Sequence, residues 1–260
     1  CLLHHIHGPM CFTETPFPLN YIGFFVETVL MPRIYRKTCF VAVSQDSKKN
    51  LISLGIDPDS IEVVYNGVDK ETYTPGNQKS STPTILYLGR IRFYKRIDIL
   101  IDLLPKIAER VPEVRLLIAG TGIARASLEK EVRNRGLEER IKFLGSVSEK
   151  ERVKLLQGSW VYVTPSLVEG WGLGVIEANA CGTPAVAFKI PGLSEAIESG
   201  KFGYLVSNRE EMLEKIVKIL TNKKLRDELS VGARIRASQF DWDKSARRFL
   251  QILERIKNNG

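Results

Sequence analysis

The chain has 260 residues, of which 43% are hydrophobic and 26% charged. That composition supports a large core and excludes disordered, collagenous and disulfide-stapled classes. Its 38 Lys and Arg against 30 Asp and Glu leave a formal charge of +8, which favours an anionic partner but leaves nucleic acid, an acidic membrane and phosphorylated small molecules open.

The chain opens at Cys1 rather than Met and lacks a charged n-region, so its start reads as a truncated N-terminus, not a signal peptide. Leu2 to Ile6 reads as a strand, with His4, His5 and His7 at its end. The apolar run Tyr21 to Pro32 contains Glu27 and is shorter than the roughly 20 residues needed to span a bilayer. Flanked by Arg33, Arg36 and Lys37, it fits either a buried domain helix or a membrane-surface segment. Strands follow at Cys39 to Val43 and Ile61 to Val64, joined by a helix at Asp46 to Leu54. Three strands are too few for an independent domain, so residues 1–72 read as the C-terminal remnant of one. Residues 73–83, rich in Pro, Gly, Ser, Thr and Asn, read as a linker without period.

From Thr84 the pattern alternates between short aliphatic runs and segments of helical period, the signature of βαβ units. Strands are predicted at Thr84 to Leu88, Val114 to Ala119, Ile141 to Leu144, Trp160 to Thr164, Pro184 to Phe188 and Gly203 to Val206. Between the first two, Ile97, Leu100, Ile101, Leu104, Ile107 and Ala108 recur at spacings of three and four, one buried stripe of a helix. Helices are expected at Arg125 to Arg135, Glu149 to Gln157, Leu173 to Ala180, Glu210 to Leu220 and Lys224 to Ser238. Residues 84–239 therefore read as an α/β, doubly wound parallel sheet. Residues 240–260 hold a last helix, N-capped at Asp241, whose Trp242, Ala246, Phe249, Leu250, Leu253 and Ile256 need a surface to pack on, expected on the N-terminal unit. Between Lys223 and Lys257 ten basic residues face five acidic ones, which fits either a solvated face or contact with an anionic surface.

Cys1, Cys11, Cys39 and Cys181 form no Cys-x-x-Cys pair, so a reducing cytoplasm is expected, with no structural zinc. Chemistry concentrates in two turns after strands. Gly89-Arg90 through Lys95-Arg96 is cationic: Gly89 permits close approach, Arg90 offers a planar fork for phosphate and Lys95 a mobile point charge. Glu169-Gly170-Trp171-Gly172-Leu173-Gly174 runs into a helix carrying Glu177, placing glycine N–H groups at a helix N-terminus and two carboxylates near one pocket. Phosphate-binding positive groups and hydroxyl-accepting carboxylates at strand ends suit a sugar joined to a diphosphate.

These residues carry a family resemblance. Ser44 in Val-Ala-Val-Ser, Asn66-Gly67-Val68-Asp69, Gly89-Arg90 with Lys95, and Phe143-Leu144-Gly145 occur in order, then Glu169 and Glu177 with seven residues between, Cys181-Gly182-Thr183-Pro184 and Phe240-Asp241-Trp242. The chain resembles the C-terminal half of a family 4 (group 1) glycosyltransferase, a retaining enzyme of the GT-B fold. The resemblance implies a nucleotide-sugar donor and no cofactor or metal. It implies Arg90 and Lys95 on the diphosphate, Glu177 on the ribose, and Glu169 with the backbone of Gly170, Trp171, Gly172 and Leu173 at the sugar. Phe143 and Leu144 would flank the base, Gly89, Gly120 and Gly122 would line the pocket, and His7, or alternatively His5, would face the reacting sugar. The expected partners are a glycan or lipid-linked acceptor and a peripheral membrane contact at the inner face.

A nicotinamide-binding reading fails because Arg125 and Val175 stand where the third glycine of Gly-x-Gly-x-x-Gly is needed. A nucleic-acid-binding module lacks zinc spacing or a stacking-aromatic motif, so no nucleic-acid partner is expected. A nucleotide-sugar-binding domain without turnover remains as the other reading.

Overall fold

Two parallel sheets organise the chain, and the computed structural model describes residues 1–4, 6 and 8–259. The smaller sheet has the order β1 (Leu2–Leu3), β2 (Phe40–Ala42), β3 (Ile61–Val63). The first strand is shorter than the pattern predicts: Leu2 and Leu3 pair with Val41 and Ala42, where β2 ends. Between β1 and β2 lie α1 (Cys11–Glu14), α2 (Leu19–Phe25), a π-helical segment Val26–Leu30 and α3 (Met31–Ile34). This stretch is not a buried helix, since Tyr21, Ile22 and Phe25 are each more than half exposed. After β2, α4 (Gln45–Ser53) begins at Ser44, whose Oγ accepts the Ser47 N–H at 3.0 Å, a side-chain cap for an otherwise orphaned donor.

Residues 73–83 contain no helix or strand, yet they are not a loose tether. Tyr73 is buried, Ser80 N–H donates to the Gly158 carbonyl at 2.8 Å, and Trp160 Nε1 donates to the Ser80 carbonyl at 2.7 Å.

The larger sheet contains β4 (Thr84–Leu88), β5 (Arg115–Ala119), β6 (Ile141–Gly145), β7 (Val161–Thr164), β8 (Ala185–Phe188) and β9 (Gly203–Val206), all parallel, in the order β6–β5–β4–β7–β8–β9. Its helices are α5 (Ile97–Arg110), α6 (Arg125–Asn134), α7 (Glu149–Gly158), α8 (Leu173–Ala180), α9 (Arg209–Thr221) and α10 (Lys223–Ala237). Every residue of β4 and β7 is buried, as required of strands covered by helices on both faces. Helix α5 buries Ile99 and Leu103 besides the predicted stripe, because it packs on α9 as well as the sheet. Each such aliphatic side chain contributes about 1.5 to 3 kcal/mol on burial.

The last helix, α11 (Trp242–Asn259), starts where Asp241 Oδ1 accepts the Asp243 N–H at 2.9 Å. It returns to the smaller sheet: Ile252 packs with Val41 and Val64, and Arg248 and Arg255 both pair with Glu62. Of the predicted apolar stripe Phe249 joins this contact, whereas Leu250, Leu253 and Ile256 are exposed.

The strand order reverses beside β4, which has β5 on one side and β7 on the other. Crossovers leave in opposite directions there, opening a crevice beyond the carboxyl ends of β4 and β7.

Candidate functional site

The turn after β4 forms one wall of that crevice. Gly89 N–H donates to the Ala119 carbonyl at 3.0 Å and Ile91 N–H to the Thr121 carbonyl at 2.8 Å, so this turn continues the sheet against the turn after β5. Two glycines permit the contact. A Cβ on Gly120 would stand 1.9 Å from the Gly89 carbonyl oxygen, and one on Gly122 would stand 2.1 Å from that of Ile91. Gly120 and Gly89 also line a cavity of about 280 Å³ with Arg90, Thr121, Ser146 and Arg152. Gly122 is not in that lining; its space is taken by the neighbouring backbone.

Arg90 is exposed at the rim, its Nη2 donating to the Tyr94 hydroxyl at 3.3 Å. Lys95 ends a one-turn 3₁₀ segment and reaches across the strand reversal to the loop after β7. Its Nζ lies 2.5 Å from Glu169 Oε1, with both side chains largely covered. The Ser166 hydroxyl donates to the same oxygen at 2.9 Å, and Thr164, the last residue of β7, lies 3.0 Å from Ser166 Oγ. Glu169 is therefore held from both sides of the crevice. The loop is fixed as well by Leu167 N–H donating to the Tyr94 carbonyl at 2.9 Å.

Glu177 lies one layer deeper, in the second turn of α8. The pattern of two carboxylates facing one open pocket does not hold: Glu177 is buried and is not in the lining of the cavity, whereas Arg152 of α7 is, its Nη2 paired with Glu177 Oε2. Burial pushes the Glu177 carboxyl above its ordinary range, while Arg152 and the Tyr73 hydroxyl pull it back. Helix α8 starts at Gly172 and stops at Cys181. The N–H of Thr183 bonds the Ala178 carbonyl at 2.8 Å and that of Gly182 the Asn179 carbonyl at 2.9 Å, a Schellman closure that requires the left-handed Gly182 and accounts structurally for Cys-Gly-Thr-Pro.

Other expected residues fall in different places. The Trp171 side chain does not enter the crevice: it is buried with its ring centroid 4.6 Å from Tyr65 and 4.8 Å from Phe240, an aromatic joint between the two sheets' units. Only its backbone is left for a ligand. The Gly170 carbonyl is occupied by the Ser44 hydroxyl at 2.9 Å. Gly172 is buried and Leu173 half-buried. Phe143 packs partly against the core, whereas Leu144 is exposed. His7 and His5 lie outside the described residues.

A second cavity, about 600 Å³, opens between the units. Met10, Phe24 and Asn50 line one side, Leu167 and Glu169 the other, so the carboxylate paired with Lys95 belongs to this lining.

Two residues of this site escaped the sequence reading. Arg152 sits in the first turns of α7, a helix with a Ser148/Glu151 capping box, and such a position normally belongs to a solvated face. Tyr73 sits in the irregular segment, where no period assigns it an inside. Only the approach of α7 to α8 reveals either.

Comparison with known proteins agrees with this geometry. The family "Glycosyl transferases group 1" matches residues 69–236, and "Glycosyltransferase Family 4" matches residues 2–72. A D-inositol 3-phosphate glycosyltransferase of Frankia alni is 31% identical over 235 residues, covering 82% of this chain and 58% of the relative. The chain thus spans little more than half of that protein. Among solved structures, the sucrose-phosphate synthase of Thermosynechococcus elongatus superposes with a TM-score of 0.84 at 21% identity, over all of this chain and 68% of the other. Anabaena HepE, solved in complex with UDP-glucose, gives 0.82 at 23% identity, covering 97% of this chain and 71% of the other. With its parallel sheets, its crevice at the strand reversal and these matches, the chain has the GT-B fold and belongs to the group 1, family 4 glycosyltransferases.

Proposed function

We propose that the chain forms the donor side of an enzyme that transfers a hexosyl group, mannosyl or glucosyl in type, from a nucleoside diphosphate to an acceptor, with retention of anomeric configuration. One observation carries this reading: on the turn after β4 Lys95 pairs with Glu169 and Arg90 contacts the Tyr94 hydroxyl, and Arg90 lines one cavity with Arg152, the ion-pair partner of Glu177. Breaking the glycosidic bond leaves negative charge on the diphosphate. Arg90 supplies a planar fork and Lys95 an ammonium whose other two N–H donors remain after Glu169 is satisfied, so charge is met where it develops. Glu169, oriented by Ser166 and Lys95, contacts the donor sugar with the backbone at the start of α8, and Glu177 accepts the ribose hydroxyls. Leu144 offers an exposed apolar face to the base. His7 remains the candidate to face the sugar from the other unit. The UDP-glucose complex of HepE, a protein of like fold, supports a nucleotide-sugar donor.

The acceptor would occupy the larger cavity. Among its described lining residues the charged ones are Asp46 and Glu169, both acidic. That favours a neutral glycan or lipid-linked glycan over a phosphorylated acceptor such as the one in the Frankia relative's name. We place the protein in the cytoplasm at a membrane face. The four free cysteines support the compartment, and exposed Phe17, Leu19, Tyr21 and Phe25 beside basic Arg33, Arg36 and Lys37 support the surface contact.

Calorimetry with UDP, GDP, ADP, NAD and a single-stranded oligonucleotide tests the donor reading. A nucleoside diphosphate should bind and the last two should not. Binding of NAD or oligonucleotide alone overturns the assignment. The anomer formed from a donor sugar, read by NMR, tests retention.

A further inference from the structure

The pairing of Arg152 with Glu177 raises a question of charge. A carboxylate buried as deeply as Glu177 is ordinarily driven to its neutral form, in which one oxygen becomes a donor and the group no longer accepts two hydrogen bonds from neighbouring hydroxyls. Several groups face it. From α7 come Arg152, which favours the charged form, and Glu149, which opposes it. The Tyr73 hydroxyl, from the segment before β4, also favours the charged form. Tyr162 of β7 and Cys181 at the end of α8 are neutral neighbours whose own ionisation Glu177 opposes. Arg152 is thus the one cation directly paired with this carboxylate among the described residues.

The geometry fits a role beyond charge balance. Arg152 pairs with Oε2 and the Tyr73 hydroxyl is a second partner of the carboxylate, which as an acceptor of up to about four hydrogen bonds keeps capacity for further donors. Its guanidinium lines the same cavity as Arg90, Gly120 and Thr121, and its Nε is buried with no partner. A purely structural ion pair would be expected to satisfy that nitrogen.

We propose that Arg152 is a positioning residue for donor binding, holding Glu177 as an oriented carboxylate so that a vicinal diol entering the cavity beside Arg90 is accepted by it. The inference rests on the donor reading above, since the diol it names is the ribose of the nucleoside diphosphate.

The test is calorimetric affinity from about pH 5 to about pH 8 for whichever of UDP, GDP and ADP binds the unaltered chain most tightly, and for its 2′,3′-dideoxy analogue. The chains compared are wild type, Arg152→Lys, Arg152→Met and the double variant Arg152→Met/Glu177→Gln. Wild type should prefer the ribose form by about tenfold or more at neutral pH. Arg152→Met should lose that preference at neutral pH and regain part of it as pH rises and Glu177 ionises without help. Arg152→Lys should keep most of it, and adding Glu177→Gln to Arg152→Met should cost little more at neutral pH. Circular dichroism establishes that each variant is folded; if Arg152→Met is not, Arg152→Gln takes its place. A pH profile for Arg152→Met parallel to that of wild type, or an undiminished ribose preference, overturns the proposal while leaving donor binding intact. No binding of any nucleoside diphosphate by wild type overturns the donor reading itself, and this inference with it.

Discussion

Lys95 Nζ stands 2.5 Å from Glu169 Oε1, so a cation carried by the turn after β4 and an anion carried by the turn after β7 neutralise each other across the strand reversal. Neither residue is near the other in sequence; 73 residues lie between them. The parallel order β5–β4–β7 makes them neighbours, because it sets the carboxyl ends of β4 and β7 side by side. Under the proposed donor reading, a diphosphate entering the crevice would meet an ammonium already aimed and partly desolvated, which would lower the reorganisation left for the reaction.

Replacing Lys95 with Ala in the complete enzyme is therefore expected to lower kcat by about 100-fold or more, with a much smaller change in KM. Steady-state kinetics with the nucleotide-sugar checks this. A rise in KM at constant kcat would mean that Lys95 merely holds the ground-state donor, and the leaving-group role assigned to it would be wrong.

The sequence was most legible where period and punctuation act locally. All six strands of the larger sheet lie within a residue or so of their predicted bounds, because β-branched runs between Gly and Pro signals admit little else. Arg90, Lys95 and Glu169 stood out on their turns through chemical type, and the fold brings Lys95 to Glu169. Partners set by tertiary approach were not legible: Arg152 looks like a solvated helix residue until α7 meets α8, and Tyr73 looks like linker until it is buried. The side chain of Trp171 was not legible either: the motif pointed to its backbone, and only the packing of the indole on Tyr65 and Phe240 shows where the ring goes.

The two units are joined by one carboxylate in particular. Glu195 accepts the N–H groups of Gln45 and Asp46 at 3.2 and 3.0 Å and the Tyr65 hydroxyl at 2.9 Å, and so serves the first turn of α4 from the opposite unit. Burial, reinforced by Glu195, pushes the Tyr65 phenol up to about 12, so it remains a donor throughout the neutral range. Glu195→Ala should destabilise the chain by about 1 to 3 kcal/mol, read as a lower urea midpoint. An unchanged midpoint would show that these bonds are exchanged for water without loss.

Lys79 provides a pH-dependent test. Its ammonium donates to Thr183 Oγ1 at 2.6 Å, and burial pulls it down to about 8. An unfolded lysine titrates near 10.4, so between about pH 8 and that value the unfolded chain holds a proton that the folded chain has released. Stability from this group therefore rises with pH across that window, and below it the folded state carries the full cost of a buried charge. Lys79→Met should stabilise the protein by about 2 kcal/mol at pH 7, with the advantage shrinking towards pH 10. Thr183 keeps a partner in the variant, since its hydroxyl also donates to the Leu156 carbonyl. Urea unfolding of both proteins at several pH values checks the difference directly, cancelling the other groups that titrate there. A difference independent of pH would mean that Lys79 stays protonated where it is.

Trp171 separates packing from recognition. Its indole lies between Tyr65, from the loop after β3, and Phe240, from the turn before α11, in an edge-to-face arrangement with the latter at 75°. Truncating a buried aromatic of this size removes transfer energy and leaves a cavity, so Trp171→Ala should cost about 3 to 5 kcal/mol. Trp171→Phe retains a ring, and because the indole Nε1 is buried with no partner, its loss removes a desolvated donor rather than a hydrogen bond. The Phe variant should therefore lose less stability than the Ala variant and keep donor affinity within about twofold, since no contact with the ligand is removed. Thermal unfolding and nucleotide titration on the same samples give both quantities. A folded Trp171→Phe protein whose donor affinity falls tenfold or more would place the indole in recognition after all, and the aromatic joint would then have to open when the donor binds.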